Sequence, residues 1–415
     1  MKKPLENLNL DNLNLQNLKN EALHLTENFS DNLDILNTGK EKASKLVSEL
    51  LQNFKNRKNK PQTDDDNKGL TVPLTMTFLG GGSFGTAMAN LASRNGCDAT
   101  LWVRDKRTVK AMQKTHINKK YLPDFKLDKR LKFSHDLEEV VKGKDIIFVA
   151  IPSSGFREIL QKIAPFITSQ VVISLTKGME KETFALMSEI IKEELPNVAF
   201  GVMSGPNLAK EIINNMPTAT VIASESETVR HAVQLALHGA FFRVFGSDDV
   251  VGVELGGALK NIYAIAMGMA GAYEVGDNTK AMILTRALAE MSRFGVHAGA
   301  NPLTFLGLSG VGDLYATCAS PLSRNYQVGN MLGKGLSLEQ AVKKLGQTAE
   351  GINTIQQVHE KASKDGIYMP ITHALYDIIF NEQAPFGVAL DLMEKGFRSD
   401  VEFVMPHDKV NEDLK

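Results

Sequence analysis

From Leu74 onward, apolar and polar positions alternate in two regimes. Short apolar runs rich in valine and isoleucine occupy 75–80, 99–103, 145–151, 170–175 and 198–202, separated by stretches compatible with helix. Strands of this kind alternating with helices predict a parallel, doubly wound sheet. Two further runs, 218–223 and 241–246, extend it. Beyond about residue 248 the strand pattern fades. Spans 249–272, 279–295, 302–309, 338–345, 350–364 and 371–380 carry the helical period instead. The organisation expected is an α/β domain over 74–247 followed by an all-α domain over 248–405.

The first seventy residues follow neither regime. Leu8, Leu10, Leu13, Leu15 and Leu18 are spaced two and three apart, a repeat of about five that fits neither helix nor strand. It weakly resembles a pentapeptide solenoid, but three copies are too few to bury a core, and a polar low-complexity tail is the preferred reading. Over 40–56, Ala43, Leu46, Val47, Leu50, Leu51 and Phe54 fall on one helical stripe, which predicts an amphipathic helix. Asn56 to Lys68, with Pro61 and three consecutive aspartates, reads as a solvated linker.

Composition narrows the setting. The 415 residues can form two or three domains, and 43% hydrophobic with 23% charged residues is ordinary for a soluble protein. A formal charge of −1 gives no overall drive toward nucleic acid or anionic membranes. Cys97 and Cys318 are too few and too far apart for a disulfide framework or a metal cluster, so no metal is expected and a reducing compartment is. No run approaches the roughly 18 consecutive apolar residues of a membrane span, and Met1–Leu10 lacks the apolar core of a signal peptide. The cytoplasm is the expected location.

The clearest chemical signal lies in a turn. Thr75 to Leu79 reads as a strand, Gly80-Gly81-Gly82-Ser83-Phe84-Gly85 follows, and Ala87, Met88, Leu91 and Ala92 begin a helix. In that context a G-x-G-x-x-G spacing has a mechanism. The first glycine permits the tight turn, the second lets backbone approach a pyrophosphate, and the third lets helix pack on strand. The pyrophosphate then rests on free N–H groups at the helix N-terminus. This is the signature of a Rossmann-type dinucleotide-binding sheet. The second strand ends at Arg104, where an acidic residue would favour NAD and an arginine accommodates the 2′-phosphate of NADP. NADPH is therefore the expected preference, although Asp105 follows directly and a register shift of one residue reverses the argument.

Other polar groups emerge from small or apolar surroundings. Thr176-Lys177-Gly178 and Ser204-Gly205-Pro206-Asn207 each follow a strand, at the carboxyl ends where open α/β sheets bind ligands. Within Glu254 to Asn261, Lys260 lies between Gly256-Gly257-Ala258-Leu259 and the apolar run Ile262–Ala266, and burying a lysine there is costly without a function.

The glycine turn, Asn118-Lys119-Lys120-Tyr121-Leu122-Pro123, Thr176-Lys177-Gly178, Ser204-Gly205-Pro206, Glu254–Asn261, Gly310-Val311-Gly312-Asp313-Leu314 and Ser323-Arg324-Asn325 occur in this order. Together they resemble the bacterial NAD(P)-dependent glycerol-3-phosphate dehydrogenases, from about Leu74 to about Asp400. The resemblance implies interconversion of glycerol 3-phosphate and dihydroxyacetone phosphate, with reduction supplying the glycerophospholipid backbone. It implies NADP or NAD as cofactor and a homodimer. Lys260 would be the general base for the C2 hydroxyl, and the acid in reverse. A free lysine, with a pKa of about 10.4, is protonated at neutral pH and cannot act as the base, and burial beside the cation Lys177 would lower that value. Lys177 would hold the reacting oxygen, and Asp313 would orient Lys260 or the substrate, with Asn261 and Thr317 in support. Gly205, Asn207, Ser323, Arg324 and Asn325 would complete the substrate site, the arginine as a planar phosphate clamp. On the cofactor side the resemblance assigns Gly80, Gly82, Ser83, Phe84, Gly85, Arg104, Tyr121, Lys177, Ala209, Arg324, Thr348 and Glu350. Glu350 also fits a carboxylate favoured by a helix N-terminus.

Departures exist. Asn207-Leu208 stands where the family places a small hydroxyl residue and then an aromatic or isoleucine, so an amide takes over a contact there. In Leu392–Lys395 and Arg398–Asp400 the charge pattern persists with residue types exchanged. Cys318 reads as a small core residue. Two rivals remain on sequence alone: a 3-hydroxyacid or ketopantoate-type reductase, which calls for a carboxylate site instead of Arg324-Asn325, and a catalytically silent NADP-binding regulator, against which two lysines and an aspartate at useful positions argue.

Overall fold

A computed structural model describes residues 74–321, 323–346 and 350–394. The leucine pattern of the first seventy residues, the expected helix over 40–56, Thr348 and the segment from 395 on lie outside the described residues. Eight strands form one sheet: β1 (Thr75–Leu79), β2 (Asp98–Trp102), β3 (Lys132–Ser134), β4 (Ile146–Val149), β5 (Val171–Ser174), β6 (Phe200–Ser204), β7 (Thr218–Ala223) and β8 (Phe242–Ser247). Their order is β3-β2-β1-β4-β5-β6-β7-β8. Order reverses beside β1, which pairs with both β2 and β4, and such a switch point opens a crevice at the carboxyl ends of the strands.

Alternation along β1 sets the two faces. Met76 and Phe78 pack with Leu101, Phe148 and Ile173 on one side, where the Phe78 and Phe148 rings stack 4.6 Å apart. Leu79 packs with Ile147, Val149 and Val172 on the other. The helices covering the sheet are α1 (Ser83–Arg94), α2 (Lys106–Thr115), α3 (Leu137–Val141), α4 (Phe156–Ile163), α5 (Met187–Glu194), α6 (Ala209–Ile213) and α7 (Glu227–Leu237).

Two expectations about the sheet need correction. It is parallel only through β6; β7 runs antiparallel to β6, with Val202 opposite Ala223, and β8 is parallel to β7. The link from β6 to β7 holds only the five-residue α6. A helix that short spans about 7 Å, less than half the length of a five-residue strand, and does not run back along the sheet as the helix of a parallel crossover does. The sheet also gains β3, three residues long, which offers too short a run to show a period.

From Val250 the chain is helical: α8 (Val250–Ala272), α9 (Asp277–His297), α10 (Asp313–Ala319), α11 (Arg324–Gly333), α12 (Leu338–Leu345), α13 (Glu350–Asp365), α14 (Pro370–Phe380) and α15 (Pro385–Glu394). The single helix expected over 302–309 is instead a 3₁₀ turn, Pro302–Leu306, and a π turn, Leu308–Gly312, because Gly307, Gly310 and Gly312 interrupt the α-helical run. α8 is the axis of this part. It is long and apolar enough to cross a membrane, yet 89% of its most apolar stretch is buried inside the protein. At Gly268 an added Cβ would lie 2.1 Å from Tyr326 O, and at Gly329 one would lie 2.0 Å from Ile265 O. The missing side chains thus bring α11 backbone-to-backbone against α8.

Two buried glutamates satisfy N–H groups at helix starts: α14 has no side-chain cap of its own, and at α5 Glu189 reaches only Leu186 N–H. Glu290, fully buried, accepts from the N–H groups of Ile371 and Thr372 in the first turn of α14, from Thr372 Oγ1 at 3.0 Å and from Tyr263 OH at 3.2 Å. Glu254, on α8, accepts from Ser188 N–H at 3.1 Å and from Ser188 Oγ at the start of α5. Each satisfies N–H groups that a helix start leaves open.

Burial pushes both carboxyls up to about 7. A folded-state value above the unfolded one means that the stability gained is complete below about pH 4.5 and is lost as pH rises through about 7. Unfolding free energy should therefore fall across this window, by up to about 3 kcal/mol per group. Denaturant titrations at a series of pH values should show a flatter dependence in Glu290→Gln; an unchanged slope would contradict the assignment.

Candidate active site

The glycine turn closes the way from β1 into α1. Gly80 has φ +126°, and a Cβ there would lie 2.2 Å from Ala150 O, so the position admits only glycine. A Cβ on Gly85 would lie 2.2 Å from Gly80 O, whereas one on Gly82 would meet nothing within 4 Å. The helix begins at Ser83 with no side-chain cap and no acid in its first turn. Open space thus faces uncapped N–H groups and the positive end of the α1 dipole, an arrangement that fits a pyrophosphate. Ser83 and Phe84 are half-buried here, and Phe84 and Ala209 pack against the sheet core.

Asn118 ties the next loop to this turn. Its Nδ2 donates to Gly81 O and to Thr86 Oγ1, both at 2.9 Å, while its Oδ1 is buried without a partner. The tie brings Tyr121, half-buried, to the turn's side of the sheet. The sequence offered Asn118 only as part of a motif; a single polar residue in a loop carries no signal of burial.

Arg104 is exposed just past β2. Asp105, its rival by one register position, is the N-cap of α2 and accepts from Thr108 N–H at 2.8 Å and from Thr108 Oγ1. Those bonds hold the Asp105 carboxyl below the usual carboxylate range. The carboxylate is therefore engaged by its own helix, and Arg104 stands exposed beside it.

The third cluster is the most buried. Lys177, just past β5, donates to Gly205 O at 3.0 Å and to Asp313 Oδ2 at 2.6 Å. Lys260, on α8, donates to Asp313 Oδ1 and to Thr317 Oγ1, the latter at 2.8 Å. Asp313, only 1% exposed, thus sits between two ammonium groups. Burial pulls the Lys260 amine down from 10.5 to about 8; Asp313 opposes the fall and Lys177 adds to it. Cys318 lies nearby and is buried, its thiol pushed up to about 12, an inert core group. Gly257 lies against this group: a Cβ there would lie 2.3 Å from Ser204 Oγ, too close to stand, and 3.4 Å from the Lys177 stem, ordinary contact.

Around these groups stand the remaining predicted residues. Gly205, at φ +144°, turns its carbonyl to Lys177. Asn207 donates to Thr220 Oγ1 at 2.9 Å, and its Oδ1 is buried without a partner, as is Ser204 Oγ. Such orphaned polar atoms are costly unless something else bonds them. Asn325 accepts from Gly351 N–H at 3.1 Å, so its amide N–H groups are what it can present to a ligand. Ser323 caps α11, and Arg324, the first residue of that helix, is exposed. Asn261 is buried, its carbonyl beside Gly351 in the first turn of α13. Glu350 begins α13; burial raises its carboxyl above the usual range, against the pull of Arg324, Lys177 and Lys260. The geometry therefore joins Lys177, Gly205, Lys260, Asp313 and Thr317 by direct bonds and sets Glu350 and Arg324 within electrostatic range of them. Gly80, Gly82, Ser83, Phe84 and Gly85 form a separate group in the turn itself, with Arg104 one residue beyond Val103, which packs on Gly81, and Tyr121 three beyond Asn118.

A buried amine poised near neutrality beside a second cation can exchange a proton with a hydroxyl or a carbonyl oxygen. Comparison with known proteins specifies the chemistry. Family models for the N-terminus and C-terminus of NAD-dependent glycerol-3-phosphate dehydrogenase match residues 75–230 and 249–389. A Psychrobacter arcticus protein named glycerol-3-phosphate dehydrogenase (NAD(P)+) is 76% identical over 341 residues, 82% of this chain and 79% of its own. One of the same name from Acinetobacter baumannii is 68% identical over 337 residues, 81% of this chain and 94% of its own. The crystal structure of glycerol-3-phosphate dehydrogenase from Coxiella burnetii superposes with a TM-score of 0.75 at 36% identity, covering 78% of this chain and 99% of that one.

Gly257→Ala should push Ser204 away from α8, beside Gly205 whose carbonyl holds Lys177, while leaving the fold intact. Turnover should fall about tenfold or more, since displacements near 1 Å suffice for that. Far-UV circular dichroism should be unchanged. Wild-type turnover in this variant would contradict the packing described.

Proposed function

The chain belongs to the NAD-dependent glycerol-3-phosphate dehydrogenase family, and from that premise we propose a role for each group in its site. The reaction interconverts sn-glycerol 3-phosphate and dihydroxyacetone phosphate with NAD or NADP. The bound nicotinamide, when present, supplies or accepts the hydride. Lys260 exchanges the proton on the C2 oxygen, and the observation that carries this role is its burial against Asp313 with Lys177 alongside. Lys177 binds the same oxygen and offsets developing negative charge. Asp313 and Thr317 fix the rotamer of Lys260. Arg324 and the Asn325 amide clamp the substrate phosphate, with Ser323, Asn261, Gly205 and Asn207 lining the substrate. Around the cofactor we place Gly80, Gly82, Ser83, Phe84, Gly85, Arg104, Tyr121, Lys177, Ala209, Arg324, Thr348 and Glu350.

NADPH is the preferred cofactor in this reading. Its support is Arg104 at the end of β2, with Asp105 engaged in capping α2. Reduction is the physiological direction, feeding glycerophospholipid synthesis. The segment 74–247 serves the cofactor and 248–405 the substrate, with 1–70 as a separate extension. The protein acts in the cytoplasm, the setting favoured by two cysteines not joined in a disulfide, and as a homodimer, which the family resemblance and the apolar stripe Phe386, Leu390 and Met393 exposed on α15 support.

NADPH oxidation by dihydroxyacetone phosphate tests the assignment. Lys260→Ala should lower kcat by about 10² or more. The base must be neutral to accept a proton, so kcat/KM for glycerol 3-phosphate oxidation should rise with pH through about 8 and then level. Retention of full turnover by Lys260→Ala would remove Lys260 from the chemistry. Arg104→Ala should cut kcat/KM for NADPH about tenfold while sparing NADH, consistent with the loss of one charge-assisted phosphate contact. Equal losses with the two cofactors would defeat the NADPH reading.

A further inference from the structure

Charge is distributed very unevenly along this chain. Its formal total is −1, yet residues 104–132 hold eleven lysines and arginines against three aspartates, an excess of eight positive charges. The segment runs from the end of β2 through α2 to β3, the edge strand of the sheet. It meets the glycine turn twice, at Arg104 beyond β2 and at Asn118, bonded to Gly81 O. That excess already subtracts the three aspartates, of which Asp105 caps α2 and Asp128 is paired with Arg130 at 2.8 Å; Lys132 is in turn paired with Asp98, outside the segment.

Lys106, Arg107, Lys110, Lys114, Lys119 and Lys120 are exposed and form no ion pair among the described residues. Lys106, Lys110 and Lys114 fall at i, i+4 and i+8, one face of α2. Like charges at that spacing weaken a helix, and an ordinary solvated face mixes the two signs. The stripe therefore works against the helix that carries it.

We infer that this segment is an electrostatic capture surface that raises the association rate of the anionic dinucleotide before it contacts the glycine turn. The inference rests on the reading that a phosphate-bearing cofactor binds at that turn. Fields of this kind reach about 10 Å at 0.1 M salt and raise association rates by about 10 to 10³. The 2′-phosphate adds charge, so NADPH feels the field more than NADH. The segment thus contributes a kinetic share of cofactor preference, through residues that need not touch the bound cofactor.

Stopped-flow association of NADPH and NADH with the full chain, at ionic strengths from low to physiological, tests this. The wild type should show an association rate that falls with salt, more steeply for NADPH. Lys110→Glu combined with Lys114→Glu should lower the NADPH association rate at low salt by about three- to tenfold and flatten its salt dependence. Dissociation rate and kcat should stay unchanged, and Lys110→Gln with Lys114→Gln should give an intermediate effect. Unchanged association rates and salt slopes in both double variants would overturn the inference. So would cosedimentation of wild type, but not of the variants, with phosphatidylglycerol vesicles when association rates are unaltered, since the cations would then serve a membrane surface. A protein that prefers NADH would defeat the NADPH reading alone, because NADH is also anionic and its salt slope still tests the field.

Discussion

One carboxylate holds this site together. Asp313 is almost fully buried and receives an ammonium from each side, Lys177 from the sheet and Lys260 from α8. Either cation alone would be expensive to bury, and the two together would repel. With Asp313 between them they can share a dry site, and burial still leaves the Lys260 amine near 8 instead of 10.5. The residual positive charge of the trio suits an oxygen that becomes negative during reaction. Thr317 completes the arrangement by accepting from Lys260 one helical turn beyond Asp313.

Much of the remaining architecture can be read as support for that contact. Gly257 gives Ser204 and the stem of Lys177 room to lie against α8. Gly268 and Gly329 let α11, bearing Arg324 and Asn325, approach the same helix. Glu254 bonds α8 to the start of α5, a second link between the axis helix and the chain that follows Lys177. Glu290 does the same for α14 from α9. Each is a buried polar or missing side chain whose local cost is offset only in the assembled protein.

The sequence made some of this legible and hid the rest for physical reasons. Seven of the eight strands stood out because buried strands carry dense runs of β-branched residues; β3 did not, being three residues long with one of them exposed. The direction of β7 was hidden because strand composition carries no sign of direction, and only the shortness of α6 betrays it. The region 302–309 looked helical by apolar spacing, but the glycines in and just beyond it leave a tighter turn, Pro302–Leu306, and a wider one, Leu308–Gly312. Lys177 and Lys260 were legible from their surroundings, a strand's carboxyl end and an apolar helix, whereas Asp313 and the convergence of the three across 136 positions were expected only from the family resemblance, because no local pattern encodes a contact so distant in sequence. Asn118 and the capping role of Glu254 were hidden because they depend on contacts distant in sequence. Asp105 shows the reverse case: the alternative to Arg104 was visible, and only the geometry of α2 says what its carboxylate is doing.

The most direct test of the central claim is the pH dependence of kcat/KM for glycerol 3-phosphate oxidation in Asp313→Asn beside the wild type. Asp313 raises the Lys260 amine against the opposing effects of burial and Lys177, so removing its charge should move the rise in activity to a pH below about 8 while lowering the plateau. A rise that stays near 8 in the variant would mean that Asp313 does not hold the proton on Lys260, and the account of the site would fail.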